Sequence, residues 1–209
     1  VPNAEPGIVT ANDNRPCGQF QSAAYGTLEG LANQALLCQP EAQPTIGVPG
    51  LFREIMSDPI TATDEEFMRE ALRLADEAEG RGEVPVGAVV VNAGRIAGRG
   101  YNSPISSRDP TAHAEILALR EAARTLGDYR LSGATLYVTM EPCAMCAGAL
   151  VAARILRLVF GVRDLRFGAV RSKFRVADSD LLNHRVEVVE GVLPEECLRR
   201  LKTFFEQRR

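Results

Sequence analysis

The chain has no run of eighteen or more apolar residues, and no basic stretch followed by an apolar one opens it. Neither a membrane span nor a secretory leader is therefore expected. Its five cysteines, Cys17, Cys38, Cys143, Cys146 and Cys197, form an odd set without regular spacing, which argues against a disulfide framework. A cytoplasmic protein is the resulting expectation. Histidine is scarce: His113 and His184 are the only two. Lysine is missing before Arg120, where eight Arg stand against sixteen Asp and Glu. From Arg120 onward sixteen basic residues face eleven acidic ones, so the overall charge of -3 hides a change of sign. The basic excess centres on Arg154, Arg157, Arg163, Arg166, Arg171, Lys173 and Arg175, opposed only by Asp164. Such a segment can contact phosphates, or it can be a solvated basic face with no partner.

A length of 209 residues with 45% hydrophobic content suits one domain plus a tail. Residues 1–55 are rich in Pro, Gly, Gln, Asn and Ala, with one short helix-like stretch near Leu28 to Leu37. They are expected to be a disordered, dispensable extension ahead of Met56, leaving a domain over 56–209. From Thr63 the pattern changes. Thr63 with Glu66 reads as a capping box, and Phe67, Ala71, Leu74, Ala75 and Ala78 recur at helical spacing, predicting a helix over 64–80. Val84 to Asn92 and Arg95 to Tyr101 read as a hairpin turning at Ala93-Gly94. Helix 112–125, strand 134–139, helix 143–153, strand 156–161, strand 185–190 and helix 194–206 follow. The strand–helix–strand order after Arg130 implies a parallel crossover. The fold class is therefore α/β, a three-layer α/β/α sandwich around a mixed sheet.

Candidate chemistry concentrates at two helix starts, His113-Ala114-Glu115 and Glu141-Pro142-Cys143-Ala144-Met145-Cys146. Zinc takes thiolate and imidazole ligands tetrahedrally, and a catalytic site keeps three protein ligands so that water fills the fourth position. His113, Cys143 and Cys146 supply that count. Cysteines at i and i+3 in a first helical turn share a face, where unpaired N–H groups and the helix dipole favour thiolate. Glu115, two residues past His113, can reach the water without being a ligand and is the candidate general acid/base. A Cys-x-x-Cys alone is equally compatible with redox chemistry or structural zinc. His-Ala-Glu followed by Pro-Cys-Ala-Met-Cys is far more specific and is the nucleobase-deaminase signature.

From about Glu65 to Arg209 the chain resembles the TadA-type bacterial tRNA-specific adenosine deaminases, within the cytidine/deoxycytidylate deaminase superfamily. The resemblance rests on Gly82-Glu83-Val84-Pro85-Val86-Gly87-Ala88, Asn102, Asp109-Pro110-Thr111-Ala112-His113-Ala114-Glu115, Glu141 to Ala149, and Asn183-His184-Arg185-Val186-Glu187. It implies a cytidine-deaminase-like fold with a central sheet of about five strands. It also implies a zinc-dependent hydrolase acting on a cyclic amidine, a homodimer that converts the wobble adenosine of an arginine tRNA anticodon loop to inosine. Hydroxide would attack C6, with Glu115 moving the protons. By the same resemblance Val86 and Asn102 would lie near the flipped base, and Asp164 near the ribose of a neighbouring nucleotide. Leu165-Arg166-Phe167 and Arg171 to Leu182 follow the family pattern only loosely.

Two rivals remain at this point. A deaminase of free bases or nucleosides, of guanine or cytosine type, shares the metal signature; the Ala-Met between the cysteines, Asn102 and the basic segment speak against it. A non-catalytic zinc-stabilised RNA-binding subunit would have no need of Glu115. His184 reads as a packed histidine or an RNA contact and is left unassigned. Cys197, spaced with Leu193 and Leu201, reads as a small buried hydrophobe.

Overall fold

Alternation along three strands decides the layers. In the computed structural model, which describes residues 61–208, Ala88, Val90, Leu136, Val138, Leu158 and Phe160 point into one apolar cluster. Their neighbours Val89, Val91, Tyr137 and Val159 point into another. Successive strand side chains face opposite ways, so a strand apolar at every position is buried on both faces. The expected extension over 1–55, with its helix-like stretch, lies outside the described residues.

The elements in order are α1 (Ala62–Gly80), β1 (Gly87–Asn92), β2 (Arg95–Tyr101), a single-turn α2 (Pro104–Ser107), α3 (Ala114–Leu126), β3 (Thr135–Met140), α4 (Ala144–Ala152), β4 (Arg157–Val162), β5 (Glu187–Glu190) and α5 (Pro194–Glu206). The sheet order is β2-β1-β3-β4-β5. β1 is antiparallel to both β2 and β3, whereas β3, β4 and β5 run parallel. The α1 residues Met68, Ala71, Leu72 and Leu74 and the α5 residue Cys197 pack in one cluster, and α3 and α4 fill the other. The expected α/β/α sandwich with a five-stranded mixed sheet is what forms, crossover included.

Three local expectations shift. The capping box of α1 is made by Thr61 and Asp64, not Thr63 and Glu66: Thr61 Oγ1 accepts from Asp64 N, and the Asp64 carboxylate accepts from Thr61 N. Asp64 is selected because its carboxylate also accepts from Tyr137 Oη at 2.9 Å and from Arg157 Nη1 at 2.7 Å. Strand β1 begins at Gly87 rather than Val84, since Pro85 has no N–H to give a ladder. Helix α3 begins at Ala114 rather than Ala112, leaving His113 in extended geometry as its N-cap. Ala93 and Gly94 both adopt positive φ, 49° and 72°, the geometry of a two-residue hairpin turn.

Glycines set how closely helices approach the hairpin. A Cβ at Gly87 would meet α1 at Ala75 N, 2.6 Å away, and one at Gly98 or Gly100 would meet α3 at Ala122 N or Ala118 N, 2.5 and 2.6 Å away. Helix α3 therefore lies against β2 with only glycine hydrogen between them, which fixes the depth of its N-terminus.

Candidate active site

The N-termini of α3 and α4 meet at the end of β3. His113 and Cys143 occupy the N-cap positions, and neither side chain is spent on a capping hydrogen bond. Cap duty for α3 falls to Asn102, whose Oδ1 accepts from Ala114 N at 3.1 Å. An external cap satisfies an orphan helix donor and leaves the imidazole free.

The ligand atoms of His113, Cys143 and Cys146 all lie within 4.8 Å of one another. Cys143 Sγ stands 3.7 Å from Cys146 Sγ and 3.7 Å from His113 Nδ1, and Cys146 Sγ stands 3.6 Å from that nitrogen. A zinc tetrahedron with ordinary bond lengths has edges of about 3.8 Å between sulfurs and about 3.6 Å from sulfur to nitrogen. The three residues therefore fit zinc without rearrangement, through Nδ1 of the histidine. Cys197 is buried on the opposite face of the sheet, against Gly161, and is not part of this set.

Electrostatics favour a cation. Cys143 is drawn down to about 4, first by its hydrogen bond with Cys146 and then by His113, against the effect of burial. Cys146 is pushed up, by Cys143 and by burial. A dication beside the two sulfurs would favour the thiolate form of both. The Cys143 sulfur also raises the His113 imidazole above its ordinary value.

Glu115, second residue of α3, is 4% exposed, and burial raises its carboxyl above the usual range. Val86 is buried, and its carbonyl accepts from Asn102 N at 3.0 Å, so these two expected base contacts stand together beside the α3 N-terminus. Asp164 is half-buried, and its Oδ1 accepts from the N–H groups of Arg166 and Phe167, shaping its own loop.

Most of the basic segment is engaged within the protein. Arg157 pairs with Asp64, Arg163 with Glu190, and Arg171 and Arg175 with Asp178, while Arg154 donates to the Asn183 carbonyl. Arg154, Arg166 and Lys173 lack a carboxylate partner among the described residues, and of these Arg154 is held by the Asn183 carbonyl, so phosphate contact by the whole segment is narrowed. His184 is a packed histidine, 2.7 Å from the Ile155 carbonyl through Nε2.

Sequence reasoning missed two buried carboxylates. Glu83, 1% exposed, accepts from Ile105 N and Ser106 N. Glu141, 3% exposed, accepts from four backbone N–H groups of the loop after β4. Burial alone would raise the Glu141 carboxyl, but hydrogen bonds from Ser172 and from the backbone outweigh it and hold it below its ordinary value. The available signal was an acid embedded in an apolar strand end just ahead of a proline, at Glu83-Val84-Pro85 and Glu141-Pro142.

Residues 61–162 match the cytidine and deoxycytidylate deaminase zinc-binding region. The chain is 56% identical over 147 residues to a tRNA-specific adenosine deaminase of Haemophilus influenzae, covering 70% of this chain and 85% of that one. It is 47% identical over 146 residues to a tRNA-specific adenosine deaminase of Bacillus subtilis, covering 70% and 91%. Among solved structures, one from a study of A-to-I editing by tRNA:A34 deaminases at the wobble position of transfer RNA is similar. It aligns with a TM-score of 0.63 and 45% identity, over 65% of this chain and 99% of that one. Sequence identity and site geometry together show that this chain belongs to the tRNA-specific adenosine deaminase family of zinc-binding deaminases.

Proposed function

We propose that the protein hydrolyses adenosine to inosine at the wobble position of a tRNA anticodon, that of an arginine tRNA, with His113, Cys143 and Cys146 as zinc ligands and Glu115 as proton shuttle. The observation that carries this reading is a group of three donor side chains close enough to hold one metal ion, accompanied by the buried carboxylate of Glu115. Zinc held by these residues supplies a water activated at neutral pH. Glu115 accepts the proton that water gives up and passes it to N1 of adenine, making C6 electrophilic for the oxygen. Glu115 then takes the proton of the hydroxyl now on C6 and delivers it to the exocyclic amino group, so that the C6–N bond breaks, ammonia leaves and C6 becomes the carbonyl of inosine. Adenosine and water are consumed; inosine and ammonia are formed. A carboxyl raised by burial suits both transfers, since it takes up a proton more readily than an ordinary carboxylate.

The target base must leave its stack, which costs least in a loop. Val86 and the Asn102 amide form one side of the base site, and the Asp164 loop approaches the neighbouring ribose. A homodimer is supported by α4, Ala144 to Ala152, which contains no charged residue yet leaves Ala144, Met145 and Ala152 exposed. No helix among the described residues is long and apolar enough to cross a membrane; a tRNA substrate places the reaction in the cytoplasm.

The test uses wild type and Glu115→Ala, each with zinc content measured, on an arginine anticodon stem-loop carrying a wobble adenosine. Free adenosine, guanine and cytidine run alongside. Inosine from wild type alone, with zinc retained in both proteins, supports the reading. Turnover of a free base but not the stem-loop moves the protein to the small-molecule deaminases. Zinc without turnover leaves a binding subunit.

A further inference from the structure

The segment after β4, residues 164–172, has almost no regular structure, yet it is pinned to the second metal-binding helix at many points. Glu141 is the pin. Its Oε2 accepts from Asp164 N at 3.0 Å, and its Oε1 from Val170 N at 3.0 Å, Arg171 N at 2.6 Å and Ser172 N at 2.9 Å. The Ser172 hydroxyl also donates to it. Every one of these donors belongs to the same segment. The peptide backbone adds two further ties on the metal side: Ala169 N donates to the Pro142 carbonyl at 2.8 Å, and Gly168 forms a β-bridge with Cys143.

The approach leaves no slack. A Cβ at Gly168 would collide with the Glu141 carboxylate and would stand 2.6 Å from the Asp164 carbonyl. Burying a carboxylate is unfavourable unless donors compensate, and here the compensation comes from one loop alone. An apolar residue at 141 would leave four backbone N–H groups without acceptors. The carboxylate thus converts an irregular segment into a rigid extension of the Pro142-Cys143 turn. What the segment displays outward is Leu165, Arg166 and Phe167, with Phe167 63% exposed and the Arg166 guanidinium 5.4 Å from its ring centre. An exposed aromatic with a stacked guanidinium, held beside the metal ligands, offers a face to a base and a charge to a phosphate.

We propose that Glu141 is a positioning residue for RNA: it locks residues 164–172 to the Pro142-Cys143 turn so that Phe167 and Arg166 meet a nucleotide flanking the flipped adenosine in fixed register with the metal site. This rests on the RNA-deaminase reading above. Glu141 touches neither substrate nor metal in this role, and its effect passes through the loop.

The test is a kinetic cycle on the anticodon stem-loop with the zinc-loaded wild type, E141Q, F167A and the double variant. An amide at 141 turns an NH2 toward backbone donors and releases part of the loop. The expected result for E141Q is a KM raised about ten-fold or more, a kcat within about three-fold of wild type, and unchanged zinc stoichiometry. F167A should raise KM alone, and its effect should shrink in the E141Q background, because the ring is then no longer held in register. E141D, which keeps the charge on a shorter arm, should recover part of the KM. S172A, which removes a single donor, should move KM the same way by about two- to five-fold, and it keeps the test decisive if E141Q does not fold. Additive KM effects, a kcat loss at constant KM, zinc loss in proportion to activity, or an S172A variant indistinguishable from wild type would each overturn the proposal. A wild type that does not turn over the stem-loop would instead overturn the RNA reading itself.

Discussion

Replacing Gly100 by alanine tests whether the depth of α3 sets the chemistry. The added Cβ would collide with the Ala114 carbonyl oxygen and stand 2.6 Å from Ala118 N and 3.0 Å from Leu117 Cβ, whereas ordinary contact needs about 3.4 Å or more, so the helix must retreat by about 1 Å. Helix α3 carries Glu115 and follows directly on His113, while Cys143 and Cys146 ride on α4 and stay behind. A displacement of that size at the proposed proton shuttle, Glu115, is expected to lower kcat about 100-fold. Overpacking is expected to cost about 1–3 kcal/mol of stability. Zinc affinity should fall as well, since one of the three proposed ligands moves. The assay is single-turnover deamination of the stem-loop at saturating zinc, alongside zinc titration and urea unfolding. Gly80 is the control: no atom lies within 4 Å of where its Cβ would stand, so Gly80→Ala should leave kcat unchanged. A Gly100→Ala protein with wild-type kcat and stability would refute the argument that glycine contact fixes the site.

Asp64→Asn should destabilise the domain by about 3–5 kcal/mol at pH 7, because it leaves the half-buried Arg157 guanidinium facing an amide and breaks the α1 cap. The folded Asp64 pKa of about 2 lies below its ordinary 3.8, so the stabilisation is complete above about pH 4 and is lost as pH falls toward 2. Urea unfolding across that window should show wild type and variant converging, and a constant gap would contradict the assignment. Ala93→Gly relieves a left-handed alanine at φ 49° and should raise stability by about 0.5–1 kcal/mol in the same assay. Glu83→Gln weakens the hold on Ile105 and Ser106 beside Asn102, and proteolysis within residues 103–108 should quicken while zinc stays bound. Gly148→Ala adds a methyl to the uncharged face of α4, where nothing lies within 4 Å. If that face joins two copies, sedimentation should show a weaker dimer, even though alanine improves helix propensity by about 1 kcal/mol.

The legible parts of this protein are those whose signal is local. Val89, Val90 and Val91 announce a strand, and His113 and Cys143 sit where a helix begins, so the layers and the candidate metal-binding group could be read directly. The capping box of α1 was misplaced by two residues because Thr63 and Glu66 satisfy the local pattern as well as Thr61 and Asp64 do. The choice was made by Tyr137 and Arg157, far along the chain. The basic segment read as either a phosphate contact or a solvated face because sequence shows charges without partners; Glu190 and Asp178 take up three of its arginines, and Asp64 a fourth.

What the sequence by itself determined is the chemistry: residue types at set spacing fix which donors can bind zinc and which carboxylate can carry a proton, since those properties belong to the side chains and to the first turn of a helix. What only the tertiary structure decided is how that chemistry is held. Asn102 caps α3 from twelve residues away, Gly100 admits the helix to its depth, and Glu141 gathers a loop about thirty residues downstream against Cys143. Such contacts depend on which segments the sheet order brings together, and a buried hydrogen bond or a close backbone approach leaves no periodic trace in the chain that makes it.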